Sequence, residues 1–179
     1  MNGKAILVID MLNDFITGKL KCERAKKIIP KIKRLIEEAR KKGVPIIYCN
    51  DAHLPVDSEL RKWGPHAIKG TEGAQVIPEL KPTEKDFIIE KRTYSGFFET
   101  GLDMLLRELN VNTIYITGIH THICDKHTAA DAFFRGYRII VVEDAVEALT
   151  EKDHEEGLAY MKNIYGADLK KVDEIIKEL

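Results

Sequence analysis

Short apolar runs recur along the chain between segments of helical spacing. They cover residues 5–9, 44–48, 86–90, 113–117 and 137–142, and a shorter run follows at 169–172. Runs that are apolar without alternation are typical of strands buried on both faces, as in a parallel sheet. The pattern therefore predicts a mostly parallel central sheet of about six strands.

The segments between these runs have the apolar spacing of amphipathic helices. Residues 26–42 carry apolar side chains on one face and end at Gly43, and residues 102–109, 152–165 and 173–179 have similar patterns. A compact helix rich in small residues is predicted to end at Gly136. Strands alternating with helices favour an α/β fold, a three-layer sandwich with helices on both faces of the sheet. A length of 179 residues suits one domain spanning residues 1–179.

Composition and charge narrow the classes of partner. A net charge of -1 gives no reason to expect nucleic acid or an anionic membrane, and no apolar run is long enough to span a bilayer. The N-terminus enters a strand-like run without a signal-peptide pattern. Three widely spaced cysteines without a CxxC pair favour a reducing cytoplasm over a disulfide framework. Without a GxGxxG or Walker pattern, we expect no organic cofactor.

Three groups suited to thiol chemistry lie at the carboxyl ends of predicted strands. Asp10 ends the first strand, Lys91 follows the third, and Cys124 lies in the loop after the fourth. Thr121 is a plausible N-cap, which would place Cys124 in the first helical turn, where the helix dipole and Lys91 favour a thiolate. The alternatives are a small buried hydrophobe for Cys124, a capping role for Asp10 and a solvated Lys91.

A second group of residues suits a divalent metal. Asp51 and His53 project to the same side if the chain stays extended, and His66 lies in the long irregular segment of residues 54–73. Carboxylate and imidazole ligands suit Zn²⁺, Fe²⁺ or Mn²⁺. The alternative is a chance Asp-x-His pair, with His66 not folding back towards it.

Motifs across nearly the whole chain resemble those of the isochorismatase-like cysteine hydrolases, a family that includes nicotinamidases, N-carbamoylsarcosine amidases and isochorismatases. The first motif is Val8-Ile-Asp10-Met11 with Asn13-Asp14-Phe15, and the second is Lys91 with Tyr94-Ser95-Gly96-Phe97. The cysteine segment, residues 118–136, matches at Thr121, Cys124, Thr128-Ala129, Asp131-Ala132 and Gly136-Tyr137. Glu143-Asp144-Ala145 fits the end of the late strand.

The resemblance implies a catalytic triad of Asp10, Lys91 and Cys124. Asp10 would be the general base, Lys91 would favour the anionic forms, and Cys124 would be the nucleophile that forms a thioester. It also implies an oxyanion hole made by the backbone N–H groups of Cys124 and His120, with a cis peptide between Ile119 and His120.

Nicotinamidases within the family bind a metal through an Asp-x-His pair and a later histidine, as in Asp51, His53 and His66. Phe15 and Trp63 could sandwich a planar substrate ring, or could be ordinary packing residues. The resemblance therefore implies hydrolysis of a small amide, nicotinamide foremost, by a homo-oligomer, either a dimer or a tetramer.

Several positions depart from the family pattern and leave other functions open. Leu12 replaces a common glutamine, Ala52 replaces an aromatic residue of nicotinamidases, and the cysteine loop has unusual residues at His120, His122 and Asp125. His122 and His127 could contact substrate or be solvated or capping, and His154 is expected to be solvated or capping. The alternatives are hydrolysis of another amide or carbamoyl compound, an isochorismatase-type reaction, a thiol redox role, or a non-catalytic interaction protein retaining the fold.

Overall fold

A computed structural model describes residues 3–179 of the protein. Six parallel strands form one sheet: β1 (Lys4–Ile9), β2 (Ile46–Asp51), β3 (Phe87–Lys91), β4 (Thr113–Ile119), β5 (Arg138–Glu147) and β6 (Asp168–Lys170). Their order across the sheet is β3-β2-β1-β4-β5-β6. The predicted α/β architecture with a parallel sheet of six strands is confirmed.

Within residues 3–179, seven α-helices connect and flank the strands. They are α1 (Asn13–Ile16), α2 (Ile29–Lys41), α3 (Leu60–Trp63), α4 (Leu102–Glu108), α5 (Lys126–Phe134), α6 (Glu151–Tyr165) and α7 (Val172–Glu178). Short 3-10 turns lie at Glu23–Lys27, Glu72–Ala74 and Pro78–Leu80, and one π-helical turn lies at Thr121–Asp125.

Successive side chains of the strands pack alternately into two hydrophobic clusters, one on each face of the sheet. Helices α2 and α7 cover one face, where Ile32 and Ile175 join the same buried cluster as Val8 of β1. Helices α4, α5 and α6 cover the other face, where Leu106 packs in the same cluster as Ile9. Each central strand therefore buries both faces, which explains its unbroken apolar sequence.

The direction in which successive strands are added to the sheet reverses at β1. The chain passes from β1 to β2 on one side, whereas β4 pairs with β1 on the other side. In parallel α/β sheets such a reversal opens a crevice beyond the carboxyl ends of the strands. Gly118 at φ 112° approaches β1 so closely that a Cβ atom would lie 2.0 Å from the Ile9 carbonyl oxygen. Only glycine fits there.

Three boundaries differ from the sequence prediction, each for a local reason. Helix α2 begins at Ile29 instead of residue 26, because Pro30 suits the first turn and not a helix interior. Strand β2 continues to Asp51, where it pairs with Lys91 of β3. The predicted N-cap role of Thr121 is wrong, since His120 precedes the π-helical turn and the Thr121 hydroxyl contacts His154.

Helices of membrane-spanning length and apolarity are not found within residues 3–179.

Candidate active site

Three strand ends bring Asp10, Lys91 and Cys124 together at the crevice. The Lys91 ammonium lies 2.7 Å from Asp10 Oδ2 and 3.6 Å from Cys124 Sγ. Asp10 follows β1 in the left-handed region at φ 52°, a conformation that aspartate tolerates better than most residues. All three side chains are buried. The folded chain thus brings an acid, an ammonium and a thiol within reach of one another.

Lys91 also neutralises a second carboxylate, that of Asp51. Its ammonium lies 2.5 Å from Asp51 Oδ1, and the Asp51 backbone N–H donates a 2.8 Å hydrogen bond to Asp10 Oδ1. Burial and the charge of Asp51 raise the pKa of Asp10 to about 7. Although burial opposes its charge, the carboxylates of Asp10 and Asp51 hold the pKa of Lys91 well above its usual value. Asp10 is therefore set to accept and return a proton near neutral pH.

Cys124 lies inside the π-helical turn Thr121–Asp125. Burial raises the pKa of its thiol well above the usual value, and the carboxylates of Asp10 and Asp51 add to this against the opposing effect of Lys91. These surroundings therefore oppose the resting thiolate predicted from the helix dipole, which stays a prediction. A thiol with a raised pKa needs a base to remove its proton, and Asp10 is the adjacent base.

The peptide bond between Ile119 and His120 is cis, as the family resemblance implied. The His120 carbonyl accepts hydrogen bonds from the N–H groups of Ile123 and Asp125, which anchors the loop on the π-helical turn. His120 and Cys124 both line the same cavity. Their assignment to an oxyanion hole remains a prediction.

Beside the triad lies a cluster of four possible metal ligands. Asp51, His53 and His66 come together as predicted, because a parallel bridge between His53 and Ile68 folds the irregular segment back. Glu59 joins them, and one ligand atom from each of the four residues lies within 4.8 Å of the others. The sequence analysis missed Glu59, whose only signal was an acidic residue between the two histidines.

The hydrogen bonds of this cluster orient both histidines towards a common point. His53 Nδ1 lies 3.3 Å from Asp57 Oδ2, and His66 Nδ1 donates to the Gly64 carbonyl at 2.8 Å. In each ring the Nδ1 contact fixes the orientation and leaves Nε2 as the atom that could bind a metal, the arrangement usual for metal-binding histidines. His53 Nε2 and Glu59 Oε2 are buried without a hydrogen-bond partner. These unpartnered atoms and the mixed oxygen and nitrogen ligands fit a divalent cation such as Zn²⁺, Fe²⁺ or Mn²⁺.

A cavity of about 390 Å³ opens onto the triad and the metal-ligand cluster. Phe15 and Trp63 line it, and their contact with substrate stays a prediction. The Trp63 indole N–H donates a 3.0 Å hydrogen bond to the Tyr94 hydroxyl, which holds the wall. Its other lining is mainly apolar, including Leu20, Ile123 and Leu149. The cavity therefore suits a small organic molecule.

The remaining histidines of the cysteine segment lie outside this lining. His127 Nδ1 donates to the Ile123 carbonyl at 2.7 Å in a local capping contact. His122 is half-buried, with its ring centroid 6.2 Å from that of His120. His154 was expected to be solvated or capping; its side chain is only 14% exposed, and its Nδ1 lies 2.9 Å from the Thr121 hydroxyl and 3.8 Å from Glu147. It braces helix α6 against the π-helical turn.

Asp125 is fully buried, and neither of its carboxylate oxygens has a hydrogen-bond partner. Burial raises its pKa well above the usual value, and the Asp10 charge adds to this. The folded protein therefore keeps this proton to a higher pH than the unfolded chain, in which an aspartate releases it near about pH 4. Since the folded state then binds more protons, this group lowers stability progressively as pH rises towards its folded pKa.

Asp125→Asn is therefore expected to become more stable relative to the wild type as pH rises. The difference in unfolding free energy should grow between pH 5 and pH 8, by at most about 1.4 kcal/mol per pH unit. Urea titrations of both proteins at several pH values measure it. Asp131→Asn, which alters a partly exposed carboxylate, is the control and should show a flatter difference. A pH-independent difference for Asp125→Asn would mean that the buried carboxyl is already ionised.

Comparisons with known proteins agree with this architecture. The family model "Isochorismatase domain" matches residues 4–172. N-carbamoylsarcosine amidase from Thermoplasma acidophilum is 44% identical, with a TM-score of 0.90 and coverage of 95% of this chain and 96% of that one. Nicotinamidase PncA from Bacillus subtilis is 33% identical, with a TM-score of 0.90 and coverage of 96% and 100%.

A pyrazinamidase of Pyrococcus horikoshii in complex with zinc is also similar. It is 32% identical, with a TM-score of 0.88 and coverage of 94% of this chain and 99% of that one. These likenesses extend over almost the whole length of each protein. The chain belongs to the isochorismatase family of hydrolases.

Proposed function

We propose that this protein is a cysteine-dependent amidohydrolase that cleaves a small primary amide through a thioester. The observation that carries the proposal is the contact of one buried ammonium, Lys91, with both Asp10 and the Cys124 sulfur at a cavity of about 390 Å³. Nicotinamide is the first candidate substrate, since a nicotinamidase and a pyrazinamidase are among the similar structures.

Acylation begins when Asp10 accepts the Cys124 thiol proton. The sulfur bonds to the amide carbon, and the carbonyl electrons move onto oxygen, where the backbone N–H groups of His120 and Cys124 stabilise the charge. The oxyanion then collapses, the carbon–nitrogen bond breaks, and Asp10 transfers its proton to the leaving nitrogen. Ammonia departs and a thioester remains on Cys124.

Deacylation reuses the same groups with water as the nucleophile. Asp10 accepts a proton from water, whose oxygen bonds to the thioester carbon. Collapse of this second oxyanion breaks the carbon–sulfur bond, and the sulfur regains its proton from Asp10. The carboxylic acid product leaves. Lys91 stays charged throughout, because its role is to offset the negative charge that moves between Asp10 and Cys124.

Asp51, His53, Glu59 and His66 would hold a divalent metal beside this site. When bound, the metal would supply a Lewis acid that anchors a heteroatom of the substrate, such as a ring nitrogen. Asp51 would then accept from Lys91 with one carboxylate oxygen while its other oxygen faces the cluster. Because the Lys91 ammonium contacts both Asp51 and Asp10, it couples the orientations of these two carboxylates.

We expect the purified protein to bind one Zn²⁺, Fe²⁺ or Mn²⁺ ion per chain. Removing one imidazole by His53→Ala should weaken binding by about 10-fold to 100-fold or more, as even loss of an outer partner of a ligand does. Isothermal titration of metal-stripped protein measures this directly. His127→Ala removes an exposed histidine outside the cluster and should bind metal as the wild type does. Equal affinity in the two variants would rule out this metal site.

Ammonia release from nicotinamide tests the proposed reaction. A second candidate substrate is a carbamoyl compound such as N-carbamoylsarcosine, favoured by the 44% identity to an amidase of that name. Both compounds should be assayed with and without added Zn²⁺, Fe²⁺ and Mn²⁺, together with a panel of small primary amides. Hydrolysis of none of them, with Cys124 unreactive towards iodoacetamide, would contradict the proposal.

A further inference from the structure

The proposed reaction uses the backbone of His120 and leaves its side chain without a role. Yet His120 lines the same cavity as Cys124, and only 8% of the residue is exposed. The Phe15 ring meets it edge-on, with ring centroids 6.0 Å apart. A buried imidazole held against an aromatic ring in the cavity wall is a polar group directed at whatever occupies the cavity.

Hydrogen bonding decides which nitrogen of His120 carries the proton. Burial lowers the pKa of the ring to about 4, so at neutral pH it has one N–H and one lone pair. Nδ1 is buried without a partner. A buried N–H without an acceptor is rarer in proteins than an unused acceptor, which places the proton on Nε2. Because Nδ1 is inaccessible, Nε2 is the nitrogen on the cavity side.

Two separate polar groups therefore surround Phe15. One is the metal-ligand cluster, reached through the His66 ring at a centroid distance of 5.5 Å, and the other is His120. Among residues 3–179, no side chain or carbonyl accepts a hydrogen bond from His120 Nε2. A substrate packed on Phe15 thus finds an unpaired N–H donor in addition to the metal-ligand cluster.

We infer that His120 determines substrate specificity by donating a hydrogen bond from Nε2 to an oxygen atom of the substrate outside the scissile amide. The preferred substrates are small amides that carry a carboxylate or carbonyl group. This inference rests on the proposed amide hydrolysis and names its substrate class. Lys19 supports it, because this residue also lines the cavity and its ammonium forms no ion pair within residues 3–179, whereas neighbouring Lys21 pairs with Glu23.

Three amides of nearly equal shape test the inference. Succinamate ends in a carboxylate, 4-oxopentanamide ends in a methyl ketone, and 4-methylpentanamide ends in an apolar isopropyl group. The measured quantity is kcat/KM of each oxygen-bearing amide divided by that of 4-methylpentanamide. This ratio cancels any general effect of a substitution on the oxyanion hole, since all three substrates share the same scissile amide.

Wild-type protein should favour both oxygen-bearing amides by about 10-fold, because the apolar analogue leaves a buried donor unpaired. His120→Leu, which removes the donor, should bring both ratios close to one. His120→Gln places an amide N–H near the former Nε2 position and should restore most of the preference for 4-oxopentanamide. If Lys19→Met lowers the ratio for succinamate and leaves the ratio for 4-oxopentanamide unchanged, the Lys19 ammonium contributes to the recognition of the carboxylate.

Wild-type ratios near one, or ratios unchanged in His120→Leu, would overturn the role of His120 while leaving the amidase intact. Absence of hydrolysis of these amides and of nicotinamide would instead overturn the proposed function and this inference with it. Urea unfolding would show whether His120→Leu has lost stability. In that case His120→Phe is used instead, because it also removes the hydrogen-bond donor but keeps an aromatic ring at this position.

Discussion

Cys124→Ala is expected to abolish amide hydrolysis and to change stability little. The sulfur is the only group in the proposed reaction that bonds to the substrate carbon, and losses of nucleophiles in comparable hydrolases reduce kcat by about 10⁴-fold to 10⁶-fold. Alanine fills most of the same buried space, so the free energy of unfolding should fall by no more than about 1 kcal/mol. Ammonia release and urea unfolding measure the two effects.

Cys22→Ala is the matched control for this substitution. Cys22 is also a buried free cysteine, but its thiol contacts the Ala148 carbonyl at 3.4 Å and does not line the cavity. The variant should retain nearly full turnover. Activity retained in Cys124→Ala would refute the thioester mechanism. An equal loss in both variants would point to a packing effect common to buried cysteines.

Lys91→Met is expected to destabilise the protein more than the removal of any surface lysine. Its ammonium is fully buried and contacts both Asp10 and Asp51, at 2.7 Å and 2.5 Å. Removing one partner of a buried ion pair leaves an uncompensated charge, a loss of roughly 3–5 kcal/mol. Turnover should disappear as well, because nothing then offsets the charge on Asp10 or the sulfur. Urea unfolding in EDTA measures the stability change without a contribution from metal.

The pH dependence and a second substitution separate this electrostatic effect from lost packing. At low pH the two carboxylates become protonated, so the destabilisation should shrink from pH 8 to pH 5. Adding Asp51→Asn to Lys91→Met should recover part of the stability, since one of the two unpaired charges is gone. Lys69→Met breaks an exposed pair with Glu90 and should cost less than about 1 kcal/mol. Equal losses in the two lysine variants would contradict this account of the buried charges.

The arrangement of charges explains why such a site needs its lysine. Asp10, Asp51 and the Cys124 sulfur would otherwise place several negative charges in one buried space. Lys91 contacts all three groups, while burial raises the pKa of Asp125 beside them and so disfavours a further negative charge. The net charge at the proposed reaction centre is thus kept low while one proton moves between Asp10 and the sulfur.

Local sequence patterns predicted the layered fold and the proximity of Asp10, Lys91 and Cys124. Strands buried on both faces need continuous apolar residues, and parallel strands place their carboxyl ends at one edge. The three residues lie at or shortly after the ends of three such strands, so they were expected to lie near one another. The family resemblance added their roles and the cis peptide before His120, which the structure contains.

The conformation of irregular segments was harder to predict from the sequence, because it depends on contacts between residues that are distant in sequence. His66 reaches His53 only through the bridge that pairs His53 with Ile68, and Glu59 enters the cluster on the same folded-back segment. No local spacing specifies such a return. The contact of His154 was unpredictable for the same reason. His154 lies on helix α6, and its partner Thr121 lies in the connection between β4 and α5.

The amino-acid sequence by itself determined the order of strands and helices, the edge of the sheet that carries the proposed site, and the residues placed there. Tertiary structure alone decided the surroundings that shift their pKa values. The helix dipole favours a thiolate at Cys124, yet burial among carboxylates raises the pKa of the thiol well above its usual value and that of Asp10 to about 7. The reason is that removal of water from a charge depends on every neighbour in space, and sequence spacing does not report those neighbours.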